Sequence, residues 1–474
     1  MKDISLLETF LYFNDGNITP EILLDDINKT IIAGKIDEIP KTSWFDFLYQ
    51  SASPDFLELL PGAEMRANWA DMVFQIIQHT EYSLRDMFDQ RVNDIPQHIL
   101  FQDMSKDLPT FWTFKQVNIQ IRQMAAVFYT QEPVDPRVAI FSDNCMESAT
   151  ADLACLFYDI FDTPISTHFK TDTIVPLFDS LGINIAVCDT TERLETLEQI
   201  RKKTSLPFTI YTLNPDIEIE NKNIYFIGDA TTILDPNQVQ EILEKRKIKP
   251  INEVATTMFT SGSTGIPKGV SFSIYNLVSK RFARHAALPT VGRNEVLLCF
   301  LPLFHTFGRF LELLGMIYWK GTYTFTGNAS SDTLLTLLPK VNPSGFISVP
   351  IRWMQMYDNI QEKIAKYEKG VEIEEIIKSV VGERLSWGLS AAGYLDPKVF
   401  KFFQKNGISL SSGFGMTEAT GGITMTPPGQ YRKNSTGLLL PGIYAQILKT
   451  GELKLSGHYV ARYLEDKGPG DSIP

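Results

Sequence analysis

At 474 residues the chain is well beyond the roughly 250–300 at which a single hydrophobic core stops growing, so more than one packed unit is expected. Apolar residues make up 44%, charged residues 21% and aromatics 11%, an ordinary globular composition that excludes a disordered or fibrous chain. A net charge of −12 and an isoelectric point near 5.1 exclude broad attraction to nucleic acid or anionic membrane, which depends on basic patches.

Residues 1–80 alternate helical stretches with turn signals: LLETFLYF, TPEILLDDINKTIIA with Thr19 as cap and Pro20 at the first helical position, and WADMVFQIIQH. They read as an added helical segment. The N-terminal MKDISLLETF lacks a basic region followed by an apolar one, and apolar runs such as Val296–Phe304 fall short of the ~20 residues a bilayer span needs, so a cytoplasmic, soluble protein is expected. From Ser83 the texture changes. SLRDMFDQRV and FKQVNIQIRQMAAVFY are amphipathic helices, RVAIFS is strand-like, and a further helix covers MESATADLACLFYDIF. The apolar runs INIAVCD, PFTIYTL and NIYFIG complete a strand–helix alternation typical of parallel βαβ units. A charged helix around QVQEILEKRK leads into ATTMFTSGSTG, where a second run begins with EVLLCFLP, TYTFTG and GFISVP. After Pro427 short strands and turns such as YAQILKTGELKLSG suggest a small β module. The four cysteines, Cys145, Cys155, Cys188 and Cys299, show no zinc or disulfide spacing and read as reduced core thiols.

The most informative stretch is Thr260-Ser261-Gly262-Ser263-Thr264-Gly265-Ile266-Pro267-Lys268-Gly269, directly after the strand-like ATTMF. Its glycines let the backbone approach a ligand closely, and clustered hydroxyls with one lysine supply donors for a polyphosphate. A Walker loop is excluded, because that pattern needs Gly before the lysine and Ser or Thr after it, whereas Pro267 and Gly269 stand here. Read alone, a stretch of this composition is more often a Gly/Ser-rich surface turn.

The whole string TSGSTGIPKG, however, resembles the phosphate loop of the adenylate-forming superfamily, which comprises acyl- and aryl-CoA synthetases, luciferases and peptide-synthetase adenylation domains. Further motifs follow in that family's order: SLRDMFDQRV at its start, LPLFHTFGRF at the substrate-side helix, LSAAGYLDP at the adenine side, SSGFGMTEAT as the G(Y/F)GxTE signature, and STGLLLPGIYAQIL with GELKLSG as a closing β module. In style the chain is most similar to long- or medium-chain fatty acyl-CoA synthetases, from about residue 83 onward.

The resemblance implies an α/β protein with two similar subdomains of mixed sheets flanked by helices, about 81–245 and 246–427. A small β-barrel-like module would cover 428–474, and the family's small C-terminal lid domain would be absent. It implies activation of a carboxylic acid by ATP and Mg²⁺ to an acyl-adenylate, with CoA or a carrier-protein phosphopantetheine as acceptor. Lys268, Thr417 and Glu418 are the expected catalytic residues, with Glu418 as the metal ligand. The nucleotide would meet Thr260, Ser261, Gly262, Ser263, Thr264, Gly265, Lys268, Ala391, Ala392, Gly393, Ser412, Gly413, Phe414, Gly415 and Thr417. Asp471 would accept from the ribose, although Pro469 stands where the family has threonine. Phe304, His305, Thr306, Arg309, Gly413 and Met416 would bind the acid, with His305 either a gate or a core residue. Relatives that activate amino acids carry an aspartate in the motif occupied here by Leu303–Phe310, so an acid without an α-amine, a fatty acid, is expected. Two rival readings stay open at this stage: an enzyme that loads an acyl carrier protein, and a catalytically silent ATP- or acyl-adenylate-binding scaffold.

Overall fold

The structure, a computed structural model, describes residues 9–10, 13, 16–219, 221, 223–260, 267–366 and 372–464. The expected phosphate-loop residues Ser261, Gly262, Ser263, Thr264 and Gly265, and the ribose-binding Asp471, lie outside the described residues.

Two sheets organise the molecule. Parallel strands covered on both faces are continuous apolar runs, and this chain has many. The edge hairpin β1 (Ile99–Asp103) and β2 (Thr110–Thr113) is followed by β3 (Arg137–Phe141), β4 (Phe161–Pro164), β5 (Ile185–Cys188), β6 (Thr209–Thr212) and β7 (Ile224–Phe226). Then come β8 (Val254–Thr260), β9 (Lys268–Ser273), β10 (Val296–Cys299), β11 (Thr322–Phe325), β12 (Gly345–Ser348), β13 (Trp387–Ser390) and β14 (Ser409–Met416). The chain closes with β15 (Gly421–Met425), β16 (Leu438–Leu439), β17 (Ile443–Ile447), β18 (Leu453–Gly457) and β19 (Arg462–Tyr463). Among the described residues one sheet has eight strands in the order β19-β9-β8-β4-β3-β5-β6-β7, and the other has nine in the order β16-β15-β14-β13-β12-β10-β11-β1-β2. Helices flank both, as expected for the α/β class.

Three details differ from the sequence reading. The hairpin β1–β2 precedes the eight-stranded sheet in the chain but joins the other, because β1 runs parallel to β11 with Phe101 opposite Tyr323. The two sheets therefore do not follow the two halves of the sequence. The helix expected to reach Phe161 stops at Phe157, and Asp159 at φ +60° turns the chain so that Phe161 opens β4. The β-rich tail closes no barrel among the described residues: β17 and β18 make a two-stranded hairpin, while β16 and β19 extend the two large sheets.

The N-terminal helices are built into the core. Helix Pro20–Ile32 starts at Thr19 and Pro20, though the Thr19 side chain makes no capping bond. Helix Gly62–Thr80 lies along helix Ile274–Ala287, with the Trp69 and Phe282 rings 5.9 Å apart and Arg66 Nε donating to the Ala286 carbonyl at 3.0 Å. Helix Ile274–Ala287 begins where the Ser273 hydroxyl accepts from the Asn276 amide and the Asn276 side chain accepts from the Ser273 amide, a reciprocal cap. With the N-terminal helices on one side and β15 on the other, even its charged residues Lys280, Arg281 and Arg284 are buried.

Candidate active site

Four mutually parallel strands, β10, β12, β13 and β14, bring their carboxyl ends to one cleft of about 500 Å³. Ligands of open α/β sheets bind at such ends, because the loops that leave the strands diverge there. Leu301 and Pro302 follow β10, Val349 follows β12, Ala391 and Ala392 follow β13, and Gly413, Phe414, Gly415 and Met416 form the outer part of β14. Ala392 holds φ +63°, a left-handed conformation that is unfavourable for a residue with a Cβ and that clusters at functional sites.

Of the residues expected to bind ligand, His305, Thr306, Ala391, Ala392, Gly413, Phe414, Gly415, Met416 and Thr417 all line this cleft. Phe414 is 43% exposed, an aromatic face open for stacking at the mouth. Gly393 adjoins the cleft, and a Cβ there would come within 3.2 Å of Pro350. Ser412 is engaged elsewhere. Its hydroxyl pairs with Thr426 Oγ1 at 2.8 Å and donates to the Ser435 carbonyl at 2.8 Å, tying β14 to the chain beyond β15. Phe304 is buried between His305, at 4.7 Å, and His168, at 6.1 Å. His305 lines the cleft, and burial together with nearby His168 pushes its pKa down, so it is neutral at physiological pH.

Arg309 is displaced from the role expected of it. It is fully buried on the π-helix Phe307–Leu313 and faces away from the cleft into the core. There Nε donates to Asp152 Oδ1 at 3.0 Å, Nη1 to Thr256 Oγ1 at 2.7 Å and Nη2 to Asp162 Oδ2 at 2.5 Å. Its guanidinium neutralises two buried carboxylates and anchors the π-helix whose leading residues reach the cleft, so it is a core cation and not a substrate contact.

Thr260 and Lys268 are cross-strand partners of β8 and β9, with residues 261–266, outside the described residues, between them in the chain. Lys268 is exposed, with Nζ 5.9 Å from the Tyr463 ring centroid. The Tyr463 hydroxyl donates to Glu418 Oε1 at 2.8 Å. One phenol therefore connects the lysine of the first sheet with the carboxylate between β14 and β15. The backbone reinforces this join: Ala461 donates to the Glu418 carbonyl at 2.7 Å and Leu464 to the Gly269 carbonyl at 2.9 Å.

A family model described as AMP-binding enzyme matches residues 88–462. The chain belongs to the AMP-binding enzyme family. As a member of it, the chain is 24% identical over 484 residues to a long-chain-fatty-acid–CoA ligase of Xenopus laevis, with 89% of this chain and 64% of that one covered. It is 25% identical to long chain acyl-CoA synthetase 8 of Arabidopsis thaliana, over 67% of this chain and 50% of that one. The matches thus span between half and two thirds of those relatives' length. Among solved structures, the anthranilate CoA ligase AuaEII in complex with anthranoyl-AMP shares the fold, with a TM-score of 0.67 at 16% identity over 81% of this chain and 72% of that one.

Two residues of the candidate site were missed by the sequence reading. Tyr463 sits in a two-residue strand with no periodicity to mark it. Arg284 lines the cleft from helix Ile274–Ala287, where a charged residue in an amphipathic helix reads as solvated surface.

Proposed function

We propose that this chain binds ATP and a carboxylic acid side by side in the cleft and joins the acid's carboxylate to the α-phosphate. The products are an acyl-adenylate and pyrophosphate, and the activated acyl group is destined for CoA. The observation that carries the reading is the Lys268–Tyr463–Glu418 cluster, whose Glu418 directly follows Thr417 in the lining of a cleft formed by expected nucleotide- and acid-binding residues. Membership of the AMP-binding enzyme family supports it, as does the likeness to long-chain fatty acyl-CoA ligases.

A carboxylate attacking a phosphate meets strong charge repulsion, so alignment and neutralisation carry the catalysis. In this reading Lys268 faces the phosphates, and Phe414 stacks on the base beside Ala391 and Ala392. Glu418 fits Mg²⁺: Tyr463 occupies Oε1, and Oε2 makes no hydrogen bond among the described residues. Among the described residues no group of three metal-ligating side chains forms a cage, which suits an ion shared with substrate phosphates and water. Bound there, Mg²⁺ would offset triphosphate charge. No acidic side chain lines the cleft among the described residues, so an α-ammonium group would be buried without a partner. Leu301, Leu311, Val349, Leu389 and Met425 suit an acid with an apolar body, of the fatty-acid kind.

Calorimetry with ATP·Mg²⁺ and acid-dependent pyrophosphate exchange test the proposal. Glu418→Ala and Lys268→Ala should each lower exchange about 100-fold, the cost of losing one charge-stabilising group. Absence of ATP·Mg²⁺ binding, or ATP turnover to ADP, would refute it.

A further inference from the structure

Helix Ile274–Ala287 carries three buried cations on two successive turns, Lys280, Arg281 and Arg284, and none of them has a carboxylate partner among the described residues. Two make hydrogen bonds within the protein, although Arg281 Nη2 is left without an acceptor among the described residues. Lys280 donates to the Gly422 carbonyl and stands 3.9 Å over the Tyr459 ring, and Arg281 Nε donates to the Leu277 carbonyl at 3.3 Å. Arg284 is different. It is 3% exposed and makes no hydrogen bond among the described residues; Nε and Nη1 are sealed from solvent, and Nη2, beside Gly421 and Gly422, is the nitrogen that faces the cleft.

The surroundings keep this guanidinium uncovered. A methyl group built on Gly422 would come within 3.2 Å of Arg284 Nη2, and one on Gly421 would lie 3.6 Å from Nη2 and 3.7 Å from Thr306 Oγ1. Two consecutive glycines thus leave open space where side chains would cover the cation. The Thr306 hydroxyl, which also lines the cleft and makes no hydrogen bond of its own among the described residues, converges on the same space. Burial pushes the Arg284 pKa down to about 10, which leaves the group charged at neutral pH. Buried cations are retained with an anionic or strongly accepting partner, and a charged hydrogen bond from Nη2 to an anion in the cleft supplies one.

We propose that the acid taken by this cleft carries a second anionic group, in the simplest case a terminal carboxylate, held by Arg284 and Thr306 in front of Gly421 and Gly422. The inference rests on the acid-activating reading and narrows its substrate class to dicarboxylates and comparable acids with an anionic far end. The reacting carboxylate is the one turned past Thr417 towards the Lys268–Glu418 cluster. The apolar lining then contacts the methylene chain between the two charged ends.

The test uses the full chain with ATP·Mg²⁺ present and acids matched in length, hexanoate against adipate and decanoate against decanedioate, with affinities measured by calorimetry. The dicarboxylate should bind roughly 10- to 100-fold more tightly than its partner, the range one charged hydrogen-bonded pair supplies. Arg284→Met should abolish that preference while leaving ATP affinity unchanged, and Thr306→Val should reduce it in part. If Arg284→Met does not fold, Arg284→Lys, which keeps the charge and loses Nη2, should reduce the preference. Three results overturn the proposal: equal or weaker binding of the dicarboxylates by the unsubstituted chain; equal loss of both acids in the Arg284 variant, which would assign the guanidinium to the reacting carboxylate; or a fall in ATP affinity with acid discrimination intact, which would assign it to the nucleotide. Monocarboxylate and ATP binding without preference refutes only this inference, whereas binding of neither ATP nor any acid refutes the acid-activating reading as well.

Discussion

Replacing Arg309 by methionine keeps an unbranched stem but removes the guanidinium, stranding two acidic side chains in the core. The Arg309, Asp152 and Asp162 side chains are 0%, 3% and 0% exposed, so solvent cannot take over the lost contacts. Removing one member of such a buried network costs about 3–5 kcal/mol. The pH dependence gives the sharper test. Burial raises the Asp162 pKa well above the usual carboxylate range, Arg309 pulls it back down, and Asp152 raises it again. An acid that holds its proton more tightly when folded makes the native state bind more protons than the unfolded one, so stability falls as pH rises above the unfolded value of ~3.9. Without Arg309 the restraining charge is gone and this loss steepens. The deficit of Arg309→Met in equilibrium urea unfolding should therefore be largest at neutral pH and shrink towards pH 4. Asp162→Asn added to Arg309→Met should recover part of it. A loss under about 1 kcal/mol, or a deficit independent of pH, would show that the guanidinium is not neutralising these carboxylates.

Tyr463→Phe removes the hydroxyl on Glu418 and should slow acid-dependent pyrophosphate exchange about tenfold, as expected for one bond to a charged group, with the melting temperature little changed. Trp69→Ala empties a fully buried site against Phe282 and should destabilise the fold by about 3–5 kcal/mol in urea unfolding; a negligible loss would mean that the N-terminal helices are an independent appendage. Burial pushes the His285 pKa down to about 3, so between ~6.5 and that value the unfolded chain binds the proton and the native one does not. Stability should accordingly fall as pH drops through this window, and His285→Gln should flatten the slope of the urea midpoint against pH.

The strands were legible where burial on both faces imposes an unbroken apolar run, as in β3, β5 and β10, and the helices where caps and amphipathic spacing agree. Pairing was not. Nothing local to Ile99–Asp103 shows that its neighbour is Thr322–Phe325, because a parallel partner can come from any distance along the chain. Much of the cleft was legible because family motifs name its residues, yet proximity in sequence misled for Arg309 and Ser412, which stand beside cleft residues and point elsewhere. Arg284 and Tyr463 escaped for the opposite reason. Their surroundings arise only when distant segments pack, and a charged helical residue or a lone tyrosine carries no mark of that beforehand.

The short strand Arg462–Tyr463 also dictates when the site comes into being. Lys268 and Glu418 leave the ribosome well before it, on segments belonging to different sheets, and the clasp that joins them forms only when Arg462 settles opposite Ser271 and Tyr463 opposite Val270. A growing polypeptide can therefore lay down both sheets and still lack that link between them.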